Sequence, residues 1–210
     1  MNDRPSLSDR VRAYARIVRT LSFRLLHQTD TARWADYPFP AAWSTRAACI
    51  ARLIPPASTV VEFGAGPATL AQFLPAGCTY IATDVVERMP GMRRIDLNAR
   101  PLPALDDLHA GVAVLAGVLE YLHDAPGVIA WLAREFPRCV VSYVPATRSH
   151  GLLPRLRQLR HRIGMGWLNN YTEEQLIDTF RRAGWSLEAR AVFPDDPPGD
   201  VFAFVNDRKS

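Results

Sequence analysis

The chain has 210 residues, 48% of them hydrophobic and 22% charged, which supplies one sizeable core and excludes a disordered chain. Its formal charge is only +4, yet 24 of its 25 basic residues are arginine. Cys49, Cys78 and Cys139 are scattered with no CxxC pair, which excludes a disulfide framework and an encoded zinc site; with no apolar run near the roughly 18 residues of a membrane span, and no apolar stretch in the opening MNDRPSLSDR, a cytoplasmic protein is expected.

Leu7, Val11, Tyr14, Val18, Leu21 and Leu25 recur at three- and four-residue steps, which predicts an amphipathic leading helix. The prolines of WADYPFP force an extended turn, and a second helix is predicted over Ala41–Leu53, ended by IPPAS. STVVEFG, TYIATD, GVAVLAG and RCVVSYVP are short apolar runs without polar alternation, the pattern of strands covered on both faces. Between them APGVIAWLAREF reads as a helix capped by Asp124 with Pro126 in its first turn. Strand and helix in repetition predict a doubly wound α/β sheet. Further on, TEEQLIDTFRRAG reads as a helix opened by Thr172, with Gln175 at the capping-box position, and closed by Gly184. WSLEARAVF and DVFAFVND, joined by PDDPPGD, must pair antiparallel, because a parallel crossover needs a dozen or more residues.

The arginines gather in DRVRAYARIVRTLSFR and in RSHGLLPRLRQLRHR, residues 148–162. Their planar forks suit an acidic substrate, a lipid headgroup or nucleic acid, beside the plainer reading of solvated helix faces. Both stretches carry leucines at helical intervals, so each either packs on the core or lies on an anionic membrane surface.

In VVEFGAGPATL, Glu62 stands at the carboxyl end of a strand, where open α/β sheets bind ligands, and Gly64 and Gly66 admit a close approach. Alone, such a turn serves equally as a corner. Eighteen residues after Gly66, however, YIATD delivers Asp84 to the end of the next strand, the spacing at which an acid accepts hydrogen bonds from ribose hydroxyls. RRIDLN adds Asp96 twelve residues later, ahead of a PLP turn. A carboxylate at the mouth of the loop repels pyrophosphate, so the order suits a ligand with a ribose, an adenine and a positive or amine-bearing group.

In these segments the chain resembles the class I S-adenosylmethionine-dependent methyltransferases, over roughly Ala41 to Asp207. VEFGAGPATL is similar to that family's glycine-rich motif, YIATD to its ribose-binding segment, RRIDLNARPLP to its adenine-side segment and VAVLAGVLEYLHD to its fourth-strand motif. NNYTEEQLIDTFRRAGW with the terminal hairpin resembles the close of its fold. The resemblance implies a seven-stranded, mostly parallel sheet of order 3-2-1-4-5-7-6 with the last strand antiparallel. It implies a methyltransferase domain over residues 41–210 behind an N-terminal helical appendage, 1–40. It further implies S-adenosylmethionine as cofactor, with Glu62 near the methionine end, Gly64, Ala65 and Gly66 lining it through their backbone, and Asp84 and Val85 at the ribose. Asp96 and Leu97 would flank the adenine, Ala116, Gly117 and Val118 the sulfonium, and Arg46 would pair with the methionine carboxylate. The chain departs from the family in having Ala68 for the third glycine, after Pro67 in the first helical turn, no aspartate opening HAGVAVL, and Tyr121 where a histidine is usual.

Methyl displacement mainly requires alignment and exclusion of water. His123, just past the fourth strand, is the candidate general base, with helix capping or a solvent-facing position as its structural alternatives. Tyr121 and Tyr143 either shape the pocket or are plain core and rim aromatics. His150, His161, Asn169, Asn170 and Tyr171, in and after the insertion that follows the fifth strand, are candidate acceptor contacts. The lack of NPPY or DPPY, and of an aromatic-interleaved basic stripe, argues against nucleic acid. The expected acceptor is a small molecule, a glycan or a lipid-linked compound, with peripheral membrane contact through the arginine-rich helices as a further option. Two rivals stand beside this reading. One is a noncatalytic methyltransferase-like partner subunit, which exposed apolar residues on the leading helix would favour. The other is an NAD-type oxidoreductase, which Glu62, the missing third glycine and the lack of room for a substrate domain disfavour.

Overall fold

The computed structural model describes residues 6–41, 43–105, 108, 110–147, 151–194 and 198–209. Its strands are β1 (Thr59–Phe63), β2 (Thr79–Asp84), β3 (Arg93–Arg94), β4 (Val112–Ala116), β5 (Arg138–Tyr143), β6 (Trp185–Phe193) and β7 (Gly199–Asn206). They form one sheet in the order β3-β2-β1-β4-β5-β7-β6. The pairs β1·β2, β1·β4, β2·β3 and β4·β5 are parallel, and β7 runs antiparallel to both β5 and β6. This is the order the resemblance implies. The short link after Phe193 forces β7 back along β6, and β7 then fills the slot beside β5.

Side chains alternate across the sheet. Val61, Phe63, Leu115, Val141 and Phe204 pack on α4 (Ala125–Glu135) and α6 (Glu173–Arg182), with Phe180 stacked on Phe204 at 3.9 Å. Val60, Val114, Val140 and Val201 pack on the other side against Ala47, Ile50 and Ala51 of α3 (Trp43–Ala51). Both faces are covered, which is why the strand runs show no polar alternation. The predicted caps are formed: Asp124 accepts from Gly127 N–H (2.9 Å), and Thr172 with Gln175 closes a capping box.

Three local expectations are corrected. After β1 the glycine turn leads only into a one-turn 310 helix, Thr69–Gln72, because Ala68 is already left-handed (φ 56°) and the chain meets Pro75 and a Gly77 turn (φ 77°) before β2. The WADYPFP region begins as a short helix, α2 (Thr31–Ala35), whose N-cap Asp30 accepts from Arg33 N–H at 3.1 Å. And α1 (Leu7–Leu25) turns its leucine stripe to solvent rather than to the core, while α5 (Leu152–Gly164) packs beside it.

Candidate active site

β1 ends at Phe63 and the chain turns at once through Gly64 and Gly66, both with positive φ (70° and 54°). A Cβ at Gly64 would stand 2.5 Å from Val118 Cγ2, and one at Gly66 2.7 Å from Phe39 Cε1, so both places favour glycine on conformation and on space. Behind this turn two backbone amides converge on one carboxylate. Gly66 N–H donates to Asp84 Oδ2 (2.8 Å) and Val86 N–H to Asp84 Oδ1 (3.0 Å). Asp84 is buried, and each of its oxygens keeps a lone pair for a further donor.

A cleft opens beyond Gly64. Asp84 and Val85 line it from the end of β2, Asp96 and Leu97 from the loop after β3, and Ala116, Gly117 and Val118 from the end of β4. Asp96 Oδ1 accepts from Thr29 Oγ1 (2.8 Å) and Asn98 N–H (2.9 Å). The Asn98 side-chain amide donates to Thr29 Oγ1 and the Tyr121 carbonyl, and its oxygen accepts from His123 N–H. Asn98 thereby ties three separate chain segments around Asp96. The sequence reading did not single out Thr29 or Asn98, since neither bond is local.

Glu62 does not line this cleft. It shares the α3 side of β1 with Val60, and with Arg46, Ala65 and Gly66 it lines an adjoining chamber of about 370 Å3 that meets the cleft at Phe39, Trp43, Gly64 and Ala116. The Tyr80 hydroxyl donates to Glu62 Oε2 at 2.5 Å. Burial pushes the Glu62 carboxyl up to about 8, with Asp84 acting the same way and Tyr80 and Arg46 opposing. The Arg46 guanidinium lies over the Trp43 ring at 4.3 Å and against Gly117, where a Cβ would stand 2.8 Å from Arg46 Nη1.

A pH dependence of stability follows. An unfolded chain ionises Glu62 near 4.5 and the folded chain near 8, so the folded state holds an extra proton between those values. Stability from this group is fully present below pH 4.5 and falls by about 1.4 kcal/mol per pH unit as pH rises toward 8. Glu120, also buried and also raised by burial, adds a slope of the same sign. Glu62→Gln keeps an acceptor for Tyr80 and cannot ionise. Urea melts at pH 5.5 and pH 8 should show the variant with the shallower pH slope and the greater stability at pH 8; matching slopes in the two proteins would remove Glu62 as the cause.

An aromatic roof closes over the cleft. Trp34, Phe39 and Trp43 line it, with Tyr37 between them and Tyr121 meeting Trp34 edge-on at 4.7 Å. Arg88 donates to the Trp34 carbonyl and lies over Phe39 at 4.7 Å, and Arg33 donates to the Met165 carbonyl at 2.7 Å. The crowding of aromatics in WADYPFPAAW was the available signal, and the proline-turn reading passed over it.

The family described as Methyltransferase domain matches residues 25–190. The chain belongs to that family. It is an S-adenosylmethionine-dependent methyltransferase in class. The match begins inside the segment read as an appendage, as does the roof. Among solved structures, the mitomycin 7-O-methyltransferase is 13% identical, with 93% of this chain and 67% of that one covered and a TM-score of 0.60. The Burkholderia thailandensis 1,6-didemethyltoxoflavin-N1-methyltransferase, bound to its substrate and S-adenosylhomocysteine, is 19% identical over 97% of this chain and 92% of that one, TM-score 0.59. The Synechocystis magnesium protoporphyrin IX methyltransferase is 16% identical over 90% and 99%, TM-score 0.58. These likenesses are of fold. No curated protein matches the chain.

The methyltransferase places its remaining candidates unevenly. Tyr121 lines the cleft, and its hydroxyl accepts from Trp167 Nε1 at 3.1 Å. His123 faces a neighbouring chamber of about 380 Å3, and its Nε2 donates to the Gln28 carbonyl at 3.1 Å. Tyr143 is corrected to a core residue: it is fully buried, and its hydroxyl accepts from Arg162 Nη2 and Tyr171 N–H, both at 3.0 Å. Asn169 spends both side-chain amide hydrogens on the carbonyls of Leu119 and Leu122, which fixes the turn under the cleft. Tyr171 packs beside Tyr143, and His161 and Asn170 are exposed; none of the three lines the cleft. His150 lies outside the described residues. Arg162, read as part of a solvated run, is buried, because the turn after α5 folds back over it.

Proposed function

We propose that this methyltransferase moves the methyl group of S-adenosylmethionine to a small-molecule, glycan or lipid-linked acceptor, with the residues below as its binding set. The observation that carries the reading is Asp84 and Asp96 lining one cleft that opens on the Gly64 turn. The residues fit the donor. Asp84 keeps lone pairs for two ribose hydroxyls, Asp96 and Leu97 offer an acceptor and an apolar face to adenine, and the Glu62–Arg46 chamber holds one group suited to an ammonium and one to a carboxylate. When bound, S-adenosylmethionine supplies an electrophilic methyl group on a positively charged sulfur. The chain's own part is to orient and to exclude water, through the aromatic roof and the close turns at Gly64 and Gly117. Tyr121, pushed up to about 12 chiefly by burial, stays protonated and shapes the wall. His123, outside the cleft with its Nε2 engaged, is not assigned the general-base role. The solved relatives named above are named for small-molecule acceptors, which supports that class for this chain.

A dinucleotide is disfavoured on new grounds. Such cofactors seat their pyrophosphate on the N-terminus of a helix that follows the glycine turn, and here only one 310 turn follows. Calorimetric titration tests the reading: S-adenosylhomocysteine should bind with micromolar affinity and NADH should not. Since Glu62 sits near 8, an ammonium placed beside it should ionise it. Titrations at pH 7 in buffers of unlike ionisation enthalpy should therefore report proton release, absent from Glu62→Gln. Binding of NADH with none of S-adenosylhomocysteine would sink the assignment. The exposed stripe on α1 favours one second reading, a noncatalytic partner subunit; a protein that binds donor yet labels nothing in a broad extract would select it.

A further inference from the structure

Two helices present apolar residues that nothing among the described residues covers. On α1, Leu7 (76% exposed), Val11, Tyr14, Val18, Leu21 and Leu25 (82%) form one stripe, while the inward side of the helix is Ala13, Ile17, Thr20 and Phe23. On α5, Leu152 (71%), Leu153, Leu156 and Leu159 are likewise exposed. The two helices pack together, and Arg160 of α5 lies over the Tyr14 ring of the α1 stripe at 4.6 Å. Leu153 and Leu156 share the Arg160 row at helical spacing, so the two apolar rows adjoin. Isolated exposed leucines need no explanation, but a contiguous two-helix patch does.

The charge around the patch selects its occupant. The ranges of α1 and α5 hold nine arginines and one aspartate, a formal +8, whereas the whole chain is +4, so the rest of the protein carries a net −4. Arg19 is spent on Asp30 and Arg162 is buried. Arg24, Arg157 and Arg160 are exposed and, at 100° per residue, fall at the edges of the leucine rows. Apolar rows flanked by arginine, with aliphatic stems along the apolar surface and guanidinium groups at its edge, match a helix lying in a headgroup layer. A body acidic elsewhere is oriented by an anionic plane with these helices toward it. No helix among the described residues is long and apolar enough to cross a membrane.

We propose that the joined faces of α1 and α5 dock this methyltransferase on an anionic lipid bilayer. The same elements border the site: Thr20 and Phe23 of α1, with Gly166 and Leu168 just after α5, line the chamber that adjoins the donor cleft. Docking therefore sets that chamber directly behind α1, about one helix diameter (roughly 10 Å) from the lipid surface at which a lipid-linked or membrane-dissolved acceptor would arrive.

The test is cosedimentation of the full chain with vesicles of phosphatidylcholine alone and of phosphatidylcholine with an equal part of phosphatidylglycerol. Binding to the mixed vesicles, weakened by added salt, is expected. Reversing three exposed charges (R24E, R157E and R160E together) should weaken it roughly a hundredfold, and V11S, V18S and L156S together roughly tenfold or more. Melting curves of both variants control for folding, so the result does not depend on the identity of the cofactor; single substitutions replace any triple that melts early. Absence of binding to mixed vesicles, equal binding to neutral ones, or binding untouched by both variants overturns the proposal. So does a lipid-free dimer, seen by sedimentation velocity and abolished by the apolar variant, because it would assign the patch to a second copy.

Discussion

Asp84→Ala should weaken S-adenosylhomocysteine binding between about a hundredfold and ten-thousandfold. The range follows from the bonds removed: two charge-assisted hydrogen bonds to a ribose are worth roughly 1.5–3 kcal/mol each, and every 1.4 kcal/mol is about tenfold in affinity. The substitution also strands Gly66 N–H and Val86 N–H, which now donate to the carboxylate, so the glycine turn loses its anchor along with the ligand. Asp84→Asn separates the two effects. It keeps one oxygen for a backbone amide but gives up the charge and one acceptor, and its affinity should fall between those of wild type and Asp84→Ala. Thermal melts without ligand should show a loss for Asp84→Ala, since each stranded buried amide costs roughly 1–3 kcal/mol; titrations belong well below that transition. Equal affinity in wild type and Asp84→Ala would remove the acid from the ribose site, and with it the main support for the donor's placement.

Arg162→Ala should be the most destabilising substitution outside the apolar core. The guanidinium donates to the Val144 carbonyl (2.8 Å), the Tyr143 hydroxyl (3.0 Å) and the Asn169 carbonyl (3.2 Å), and it lies over the Trp167 ring at 4.6 Å. It also opposes the burial that raises the Glu120 carboxyl. Its removal leaves buried acceptors unpaired and Glu120 with less positive charge nearby. Breaking such a buried network costs about 3–5 kcal/mol, and a domain of this size loses about 2–4 °C of melting temperature per kcal/mol. A fall of roughly 6–20 °C is expected. Arg162→Met keeps much of the stem packing on Trp167 and loses only the donors, so it should melt above the alanine variant and still well below wild type. A melting temperature for Arg162→Ala within about 2 °C of wild type, below the smallest change the network allows, would return Arg162 to the solvated run it belongs to by sequence.

Those two residues mark the border between what is legible in the sequence and what is not. Asp84 could be found because its signal is local twice over: a strand pattern ends on it, and a fixed spacing separates it from Gly66. The strand order and the reversed β7 were legible through the family resemblance and the short β6–β7 link, and the caps at Asp124 and Thr172 through Pro126 and Gln175. Arg162 gave no such signal. It sits among identical arginines, and only the return of the chain at residues 165–169 buries it. The α1 stripe misled in the opposite sense: helical periodicity says which residues share a face, not whether anything covers that face.

By itself, then, the sequence determined the central strands, α4, α6, the antiparallel closing hairpin and the acids after β2 and β3, because backbone preference and side-chain alternation act over a few residues. Tertiary structure alone decided that Glu62 enters a separate chamber, that Tyr143 and Asn169 brace the site from beneath, and that Trp34, Phe39 and Trp43 roof it. It also decided that the leucines of α1 and α5 meet as one exposed surface. These outcomes rest on contacts between residues tens of positions apart, such as Thr29 with Asp96 and Asn169 with Leu119. The energy of such contacts depends on where whole elements come to rest, which no local pattern records.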